Sequence, residues 1–373
     1  MPHITELHLQ HFRNLSSVKI KPGGRLNFIY GDNGAGKTSL LEAINLAAHG
    51  RSFRTRNYRR IIQIDQDHCM VRLMLGAAMQ DRQLPIGVKR ERNGNSLFKV
   101  DGQPVRSSAD LAVYLPLLLI NAHSFSLLEG PTKERRQFFD WLVFHVKPEF
   151  RSYWKDYARL MKQRNSLLRR DKIAYSDLHP WDKQIVELSE KISKARDECF
   201  AEFTQVLQHF IAESSLAGLG DWQIAYVKGW NDAEASLGGQ LEEGFERDRR
   251  YGYTTLGPHK SNFRLGVNKQ LASETLSRGQ LKVLIVALYL SLAKVFHQYS
   301  GRSPVFLLDD LPSELDGAHI QRLGHWINEA GSQVFITGVS RSALQEFWPE
   351  LDKQSEDISA FHVKHGEIEL GNL

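Results

Sequence analysis

The sequence predicts an α/β fold, a mixed sheet with an extra antiparallel layer, interrupted by an inserted helical domain. Three observations predict it. Residues 25–30, Arg-Leu-Asn-Phe-Ile-Tyr, read as a buried strand that runs through a glycine-rich turn into a helical stretch at 39–48. Residues 305–308, Val-Phe-Leu-Leu, form a second apolar strand that ends on Asp309 and Asp310. Between them, from about 128 up to Gly218, apolar residues recur every three or four positions, the period of helices.

The turn is Gly31-Asp32-Asn33-Gly34-Ala35-Gly36-Lys37-Thr38, which fits G-x-x-x-x-G-K-[ST]. Its glycines let backbone N–H groups point inward as an anion nest, and the following helix adds its positive N-terminal end. Lys37 is placed to reach the β- and γ-phosphates of ATP, and the Thr38 hydroxyl to hold Mg²⁺. Chance supplies this pattern in roughly one chain of this length in a hundred, before the strand and helix are demanded.

At 373 residues the chain is long enough for two or three domains. Apolar and charged fractions of 42 % and 24 % are those of an ordinary soluble protein. A net charge of +5 and a pI near 9.0 favour a polyanionic partner. Cys69 and Cys199 have no metal-ligand spacing and read as buried, reduced thiols of a cytoplasmic protein. The opening Met1-Pro2-His3-Ile4-Thr5-Glu6 lacks the basic and apolar parts of a secretory signal. The longest apolar run, 283–293, falls short of the roughly 20 residues a bilayer span needs, so no membrane partner is expected.

In chain order, residues 4–12 alternate as a first strand and end in Phe12-Arg13-Asn14. After the first helix, residues 51–60 carry five arginines (Arg51, Arg54, Arg56, Arg59 and Arg60), Phe53 and Tyr58, and no acid. That segment reads either as a solvated loop near the phosphates or as a patch for nucleic-acid phosphates. Strands follow at 69–75 and 84–89, then a hairpin at 98–105 over Asp101-Gly102, then an apolar run at 115–120. Residues 133–146 read as a helix, and Tyr153, Tyr157, Leu160, Met161, Arg164, Leu167 and Leu168 mark the stripe of another. Around that stripe, 151–172 holds eight Lys or Arg against two Asp, a second candidate DNA contact. His179-Pro180 is expected to break the helix, after which Ile185 to Phe210 continue the period up to Gly218-Leu219-Gly220. Strand character returns at 263–267. Leu276-Ser277-Arg278-Gly279-Gln280 stands directly before a helix at 281–299, where Ser277 and the Gly279 N–H are placed to face an anion or simply to cap the helix. Asp309 at its strand end is the second Mg²⁺ candidate, and Asp310 is placed to orient or deprotonate an attacking water. Ser313-Glu314-Leu315-Asp316 follows, and 333–338 reads as another core strand.

Together these motifs resemble the ABC-type P-loop ATPase head: phosphate loop, helical insertion, L-S-x-G-Q-like signature, acidic strand end, then S-x-L-D. The domains expected are 1–127 and 254–373 for the two halves of the head and 128–253 for the helical insertion. The match is closer to the RecF family of bacterial recombinational repair proteins. Phe12-Arg13-Asn14, the phosphate loop, Gly50-Arg51-Ser52-Phe53-Arg54-Thr55, Gly257-Pro258-His259-Lys260, residues 276–282 and residues 308–316 carry it, in order and over nearly the whole chain. The resemblance implies an ATP-dependent homodimer in which Ser277, Arg278, Gly279 and Gln280 of one copy face the nucleotide of the other. It also implies binding to gapped, single- or double-stranded DNA, weak DNA-stimulated ATP hydrolysis, and work with RecO and RecR to load RecA.

The chain departs from the usual pattern in three places. Asn121-Ala122-His123-Ser124 stands where ABC ATPases place a Gln, Ser261-Asn262 where acids are frequent, and Thr337 near the position of a switch His. The alternative is the nucleotide-binding subunit of an ABC transporter, against which the Arg51–Arg60 cluster and the basic helix argue. An SMC-like tether would need hundreds of residues of heptads, which the insertion of about 125 residues excludes. A binding module without turnover is the remaining variant, because Asp310 replaces the usual Glu.

Overall fold

The computed structural model describes residues 3–77, 80–105, 107–310, 324–340 and 357–371. Contacts divide the chain into two compact units, Met1–Ser124 with Phe296–Leu373, and Phe125–Val295.

The first unit is built of two sheets. Strand β1 (His3–Phe12) turns through Arg13 into β2 (Leu15–Ile20), and β3 (Leu26–Tyr30) leads through the phosphate loop into α1 (Lys37–His49). After the arginine-rich segment come β4 (His68–Ala77), β5 (Gln80–Glu91), β6 (Ser96–Val100) and β7 (Gln103–Pro104), then α2 (Ser108–Tyr114) and β8 (Leu117–Ile120). The antiparallel layer has the order β2-β1-β4-β5-β6-β7. Its last hairpin turns over Asp101 and Gly102 at φ 51° and 74°, the left-handed pair that a two-residue turn requires.

The chain returns to this unit with β12 (Val305–Leu308), β13 (Val334–Gly338), β14 (Ile358–Lys364) and β15 (Glu367–Gly371). They join the other sheet in the order β15-β14-β3-β13-β12-β8, parallel throughout except at β15. Strands β12 and β13 are buried at every residue, which is why they read as unbroken apolar runs rather than alternation.

Helix α1 packs on strands of both sheets, and eleven of its thirteen residues are buried. A helix with no wet face must still satisfy its polar side chains, and four of those eleven are Lys37, Ser39, Glu42 and Asn45. Their partners shape the functional site below.

The second unit holds α3 (Ser126–Glu129), α4 (Thr132–Val146), α5 (Phe150–Leu168) and α6 (His179–Ala212), followed by β9 (Trp222–Val227), α7 (Leu237–Glu243) and α8 (Phe245–Tyr251). Then come β10 (Asn262–Val267), β11 (Gln270–Leu271), α9 (Ala272–Thr275) and α10 (Arg278–Ser300). The expected stripe on α5 is buried at Tyr157, Leu160, Met161, Arg164 and Leu168. Phe139, Phe200, Phe203 and Phe263 interlock with ring centroids 5.4–6.4 Å apart.

Two expectations need correction here. His179-Pro180 does not break a helix but opens α6, because Pro is tolerated in a first turn whose N–H groups have no intrahelical acceptor. The insertion is not purely helical, since β9 pairs antiparallel with β10 from Val227↔Asn262 to Trp222↔Val267. That ladder joins 222–227 to 262–267, and contacts draw the second division at Val295/Phe296. Helix α10 is long and apolar enough to cross a membrane by length and composition, but 72 % of that stretch is buried inside the protein, as in a core helix.

Candidate functional site

The phosphate loop is shaped by what a side chain would strike. Gly31 has φ 148°, and a Cβ there would lie 2.1 Å from the Val363 carbonyl oxygen on β14. Gly36 has φ 127°, and its Cβ would meet Leu15 and Asn14 at 2.9 and 3.0 Å. Only glycine fits either position. The turn after β1 clamps the loop from outside: Asn14 Nδ2 donates to the Ala35 carbonyl at 2.9 Å, and Ser39 Oγ donates to Asn14 Oδ1 at 2.9 Å. Lys37 bends back across the loop, its ammonium donating to the carbonyls of Gly31 at 2.6 Å and Asp32 at 2.9 Å. Two of its three donors are thus used within the loop.

The acid strand meets the loop. Thr38 Oγ1 donates to Asp309 Oδ1 at 3.0 Å across 271 residues of sequence. Thr337 Oγ1, at the end of β13, donates to the same oxygen at 3.0 Å and accepts the Asp310 N–H at 2.8 Å. Burial pushes the Asp309 carboxyl above the usual carboxylate range, while the two hydroxyl donors and Arg54 pull it down. Asp310 sits at φ 54°, a strained conformation for a residue with a side chain. Lys37, Thr38, Asp310, Thr337, Arg54 and Arg60 all line one cavity of about 780 Å³.

The basic segment reaches this cavity because of Glu42. Its carboxylate is fully buried on α1 and takes a bidentate pair from Arg13, at 2.7 and 2.9 Å. It also accepts the Ser52 hydroxyl and lies 3.7 Å from the Arg54 guanidinium. Ser52 Oγ in turn accepts the N–H groups of Arg54 and Thr55, and Asn45 Nδ2 donates to the Arg51 carbonyl. All five arginines of 51–60 are exposed. Phe53, partly buried, packs against the core of this unit, and the partly buried Tyr58 has its hydroxyl end beside Gly94.

The residues drawn from the sequence thus assemble in part. Gly31–Thr38, Asp309, Asp310, Arg54 and Arg60 meet in the first unit. Arg13, Asn14, Glu42 and Thr337 complete the set and were not read as site residues. A lone Glu in the otherwise apolar Leu40-Leu41-Glu42-Ala43-Ile44 was the available signal, since a buried carboxylate requires a cation.

The signature lies in the second unit. Ser277 Oγ accepts the Gln280 N–H at 3.3 Å and Gln280 Oε1 accepts the Ser277 N–H at 2.8 Å, the reciprocal pair of a capping box. Ser277, Arg278 and Gly279 are exposed. Asn121-Ala122-His123-Ser124 closes on itself, with Ser124 Oγ accepting the Asn121 N–H and Asn121 Oδ1 accepting the His123 N–H. Ser261 and Asn262 are held by arginines: Arg136 and Arg196 donate to Ser261 and Arg135 donates to Asn262. Ser313-Glu314-Leu315-Asp316 lies outside the described residues.

Mg²⁺ suits the oxygen donors present. The Thr38 hydroxyl and the Asp309 carboxylate offer hard oxygen donors 3.0 Å apart, of the kind Mg²⁺ takes.

Comparison with known proteins follows the same line. The family model described as "RecF/RecN/SMC N terminal domain" matches residues 3–357. The chain is 50 % identical to the DNA replication and repair protein RecF of Saccharophagus degradans, covering 99 % of both chains. It is 45 % identical to that of Teredinibacter turnerae, covering 100 % of this chain and 97 % of the relative. A solved structure of the recombination mediator protein RecF with ATP, from the RecFOR pathway, has the same fold, with a TM-score of 0.86 at 24 % identity over 99 % of this chain and 98 % of that one. An SMC head bound to the winged-helix domain of ScpA gives 0.60 at 15 % identity, over 100 % and 98 %.

Proposed function

The chain belongs to the RecF/RecN/SMC N-terminal domain family and, over its whole length, to the RecF proteins, and from that premise we propose that it is an ATP-dependent DNA-binding protein of DNA replication and repair. The observation that carries the reading is the Thr38–Asp309 hydrogen bond, which ties the phosphate loop to the acid strand at one cavity. The backbone N–H groups of 31–38 and the Lys37 ammonium bind the phosphates. Thr38 and Asp309 would hold Mg²⁺, which would neutralise charge on the phosphate oxygens. Asp310 orients the attacking water. Ser277 and Gly279 of a second copy face the same nucleotide, so ATP favours a homodimer. Residues 254–373 act with 1–127 as the ATPase head, and 128–253 as the insertion.

Hydrolysis is slow and DNA-stimulated, and serves as a switch rather than a motor. The partners are gapped, single- or double-stranded DNA and the mediators RecO and RecR, and the outcome is RecA loading at single-stranded gaps in the cytoplasm. The transporter alternative is set aside, because the full-length relatives are DNA replication and repair proteins. Turnover with and without DNA, together with DNA affinity with ATP and with ADP, tests the reading. ATP-dependent DNA binding with slow, DNA-responsive turnover is expected. Binding indifferent to both nucleotide and salt would overturn it.

A further inference from the structure

The second unit exposes two tyrosines side by side. Tyr251 ends α8 and is 57 % exposed, and Tyr253 is 44 % exposed. Their rings stack, with centroids 5.7 Å apart and planes within 24°. Gly252 between them takes φ 72°, and its N–H closes on the Asp248 carbonyl at 2.8 Å. Exposed rings forgo the stabilisation that burial would bring them, so a pair displayed together invites the question of what holds it there.

Both ends of this turn are bolted to the helices beneath. Arg164, fully buried on α5, donates to Asp182 at 2.6 Å, to Asp248 at 2.8 Å and to the Thr254 hydroxyl at 2.8 Å. Asn165 Oδ1 accepts both the N–H and the hydroxyl of Thr254, and Asp248 Oδ1 accepts both from Thr255. Burying such a charge network is expensive unless every member is paired, and here the pairing immobilises residues 248 and 254–255. The exposed residues between those anchors are Arg249, Arg250, Tyr251 and Tyr253.

The surroundings are basic. The Lys260 ammonium lies 5.3 Å from the centre of the Tyr253 ring. A Cβ on Gly252 would be 3.0 Å from the Arg169 side chain, so the end of α5 borders the turn with exposed Arg169 and Arg170. Rigid aromatic faces bordered by cations are the combination that holds unpaired bases while tracking their phosphates.

We propose that Tyr251 and Tyr253, flanked by Arg169 and Lys260, form a stacking platform for the bases of single-stranded DNA. The proposal rests on the DNA-binding reading above and adds where unpaired bases sit. The platform is preorganised by Arg164, so stacking orders little of the protein. It is also independent of base identity, since every base offers a π face.

The test uses the full-length protein with ATP, and anisotropy of three labelled probes: a thymine oligonucleotide of roughly 12 nucleotides, its fully abasic counterpart, and a blunt duplex. Tyr251→Ala/Tyr253→Ala should weaken binding of the thymine strand by about 10- to 100-fold, with duplex and abasic binding unchanged. Tyr251→Phe/Tyr253→Phe should bind the thymine strand like wild type, because the ring and not the hydroxyl does the stacking. Equal single-strand affinity in the alanine variant and wild type would overturn the platform, as would a parallel loss on all three probes. A lowered mass in the alanine variant with single-strand affinity intact would assign the patch to a second copy and also overturn it. Wild type that binds duplex but no single strand defeats this inference alone. Wild type that binds none of the probes defeats the DNA-binding reading as well.

Discussion

Lys37 does two jobs in the geometry seen here. Its ammonium bridges the carbonyls of Gly31 and Asp32, and it is the loop's one cationic side chain. Lys37→Ala should therefore abolish tight ATP binding by loosening the loop and removing the charge at once. Lys37→Arg should keep binding and lose hydrolysis, since a planar guanidinium does not replace a compact ammonium. Nucleotide titration checks both, and an unchanged ATP affinity in Lys37→Ala would reject the site. The acid pair divides differently. Asp309 Oδ1 accepts two hydroxyls, and an Asn there keeps one oxygen for those bonds while losing the charge. Asp309→Asn should fold normally and lose Mg²⁺-dependent ATP binding, whereas Asp310→Asn should bind Mg·ATP and turn over slowly. Loss of nucleotide in both variants would show that the roles are not split this way.

At the scale of elements, α1 is the hub. It carries the loop at its N-terminus, and its buried Glu42 holds the Phe12-Arg13-Asn14 turn and the start of the arginine segment. Glu42→Ala leaves Arg13 without its bidentate partner and should cost about 3–5 kcal/mol in urea unfolding. Arg13→Met with Glu42→Leu should recover much of that loss, because two apolar groups leave no charge unpaired. A double variant no more stable than Glu42→Ala would contradict this.

The partly buried histidines predict acid sensitivity. Burial holds His49 and His259 at about 4. His259 is neutral between Tyr157, which donates to Nδ1 at 2.6 Å, and the Thr254 carbonyl, which accepts from Nε2 at 3.0 Å. A depressed folded value means that the unfolded chain binds the proton first. The stability of the neutral form is therefore complete above about 6.5 and is lost as pH falls toward about 4. Between those limits stability should fall by about 1.4 kcal/mol per pH unit for each histidine. His259→Gln should remove one proton's worth of that slope, and an unaltered slope would place the acid sensitivity elsewhere.

For the whole molecule, the sharpest expectation concerns two copies. The signature is exposed and capped, at the start of a 23-residue helix, and belongs to the unit that lacks the phosphate loop. If it faces the nucleotide of a second copy, ATP binds the dimer better than the monomer and must shift the equilibrium. Light scattering should report monomer with ADP and dimer with ATP, most fully in Asp310→Asn. Ser277→Arg should remain monomeric while still binding ATP through its own loop. Equal masses in all these samples would return the protein to a single-headed mode of action.

The sequence by itself determined whatever is written in contiguous residues. The phosphate loop is a window of eight residues with four of set type, the acid strand a run of six, and a core strand reads as an apolar run because both its faces are covered. From these the α/β class and the nucleotide cavity were legible. Tertiary structure alone decided what lies far apart along the chain. Thr337 joins Asp309 and Asp310 from another strand, and Glu42 meets Arg13 across 29 residues and the arginine segment across ten or more. The short β9 shows itself only by its ladder with β10, which joins residues on either side of 253/254. The reason is physical: a buried charge or a lone strand announces a need for a partner, and only the folded chain brings one within 3 Å.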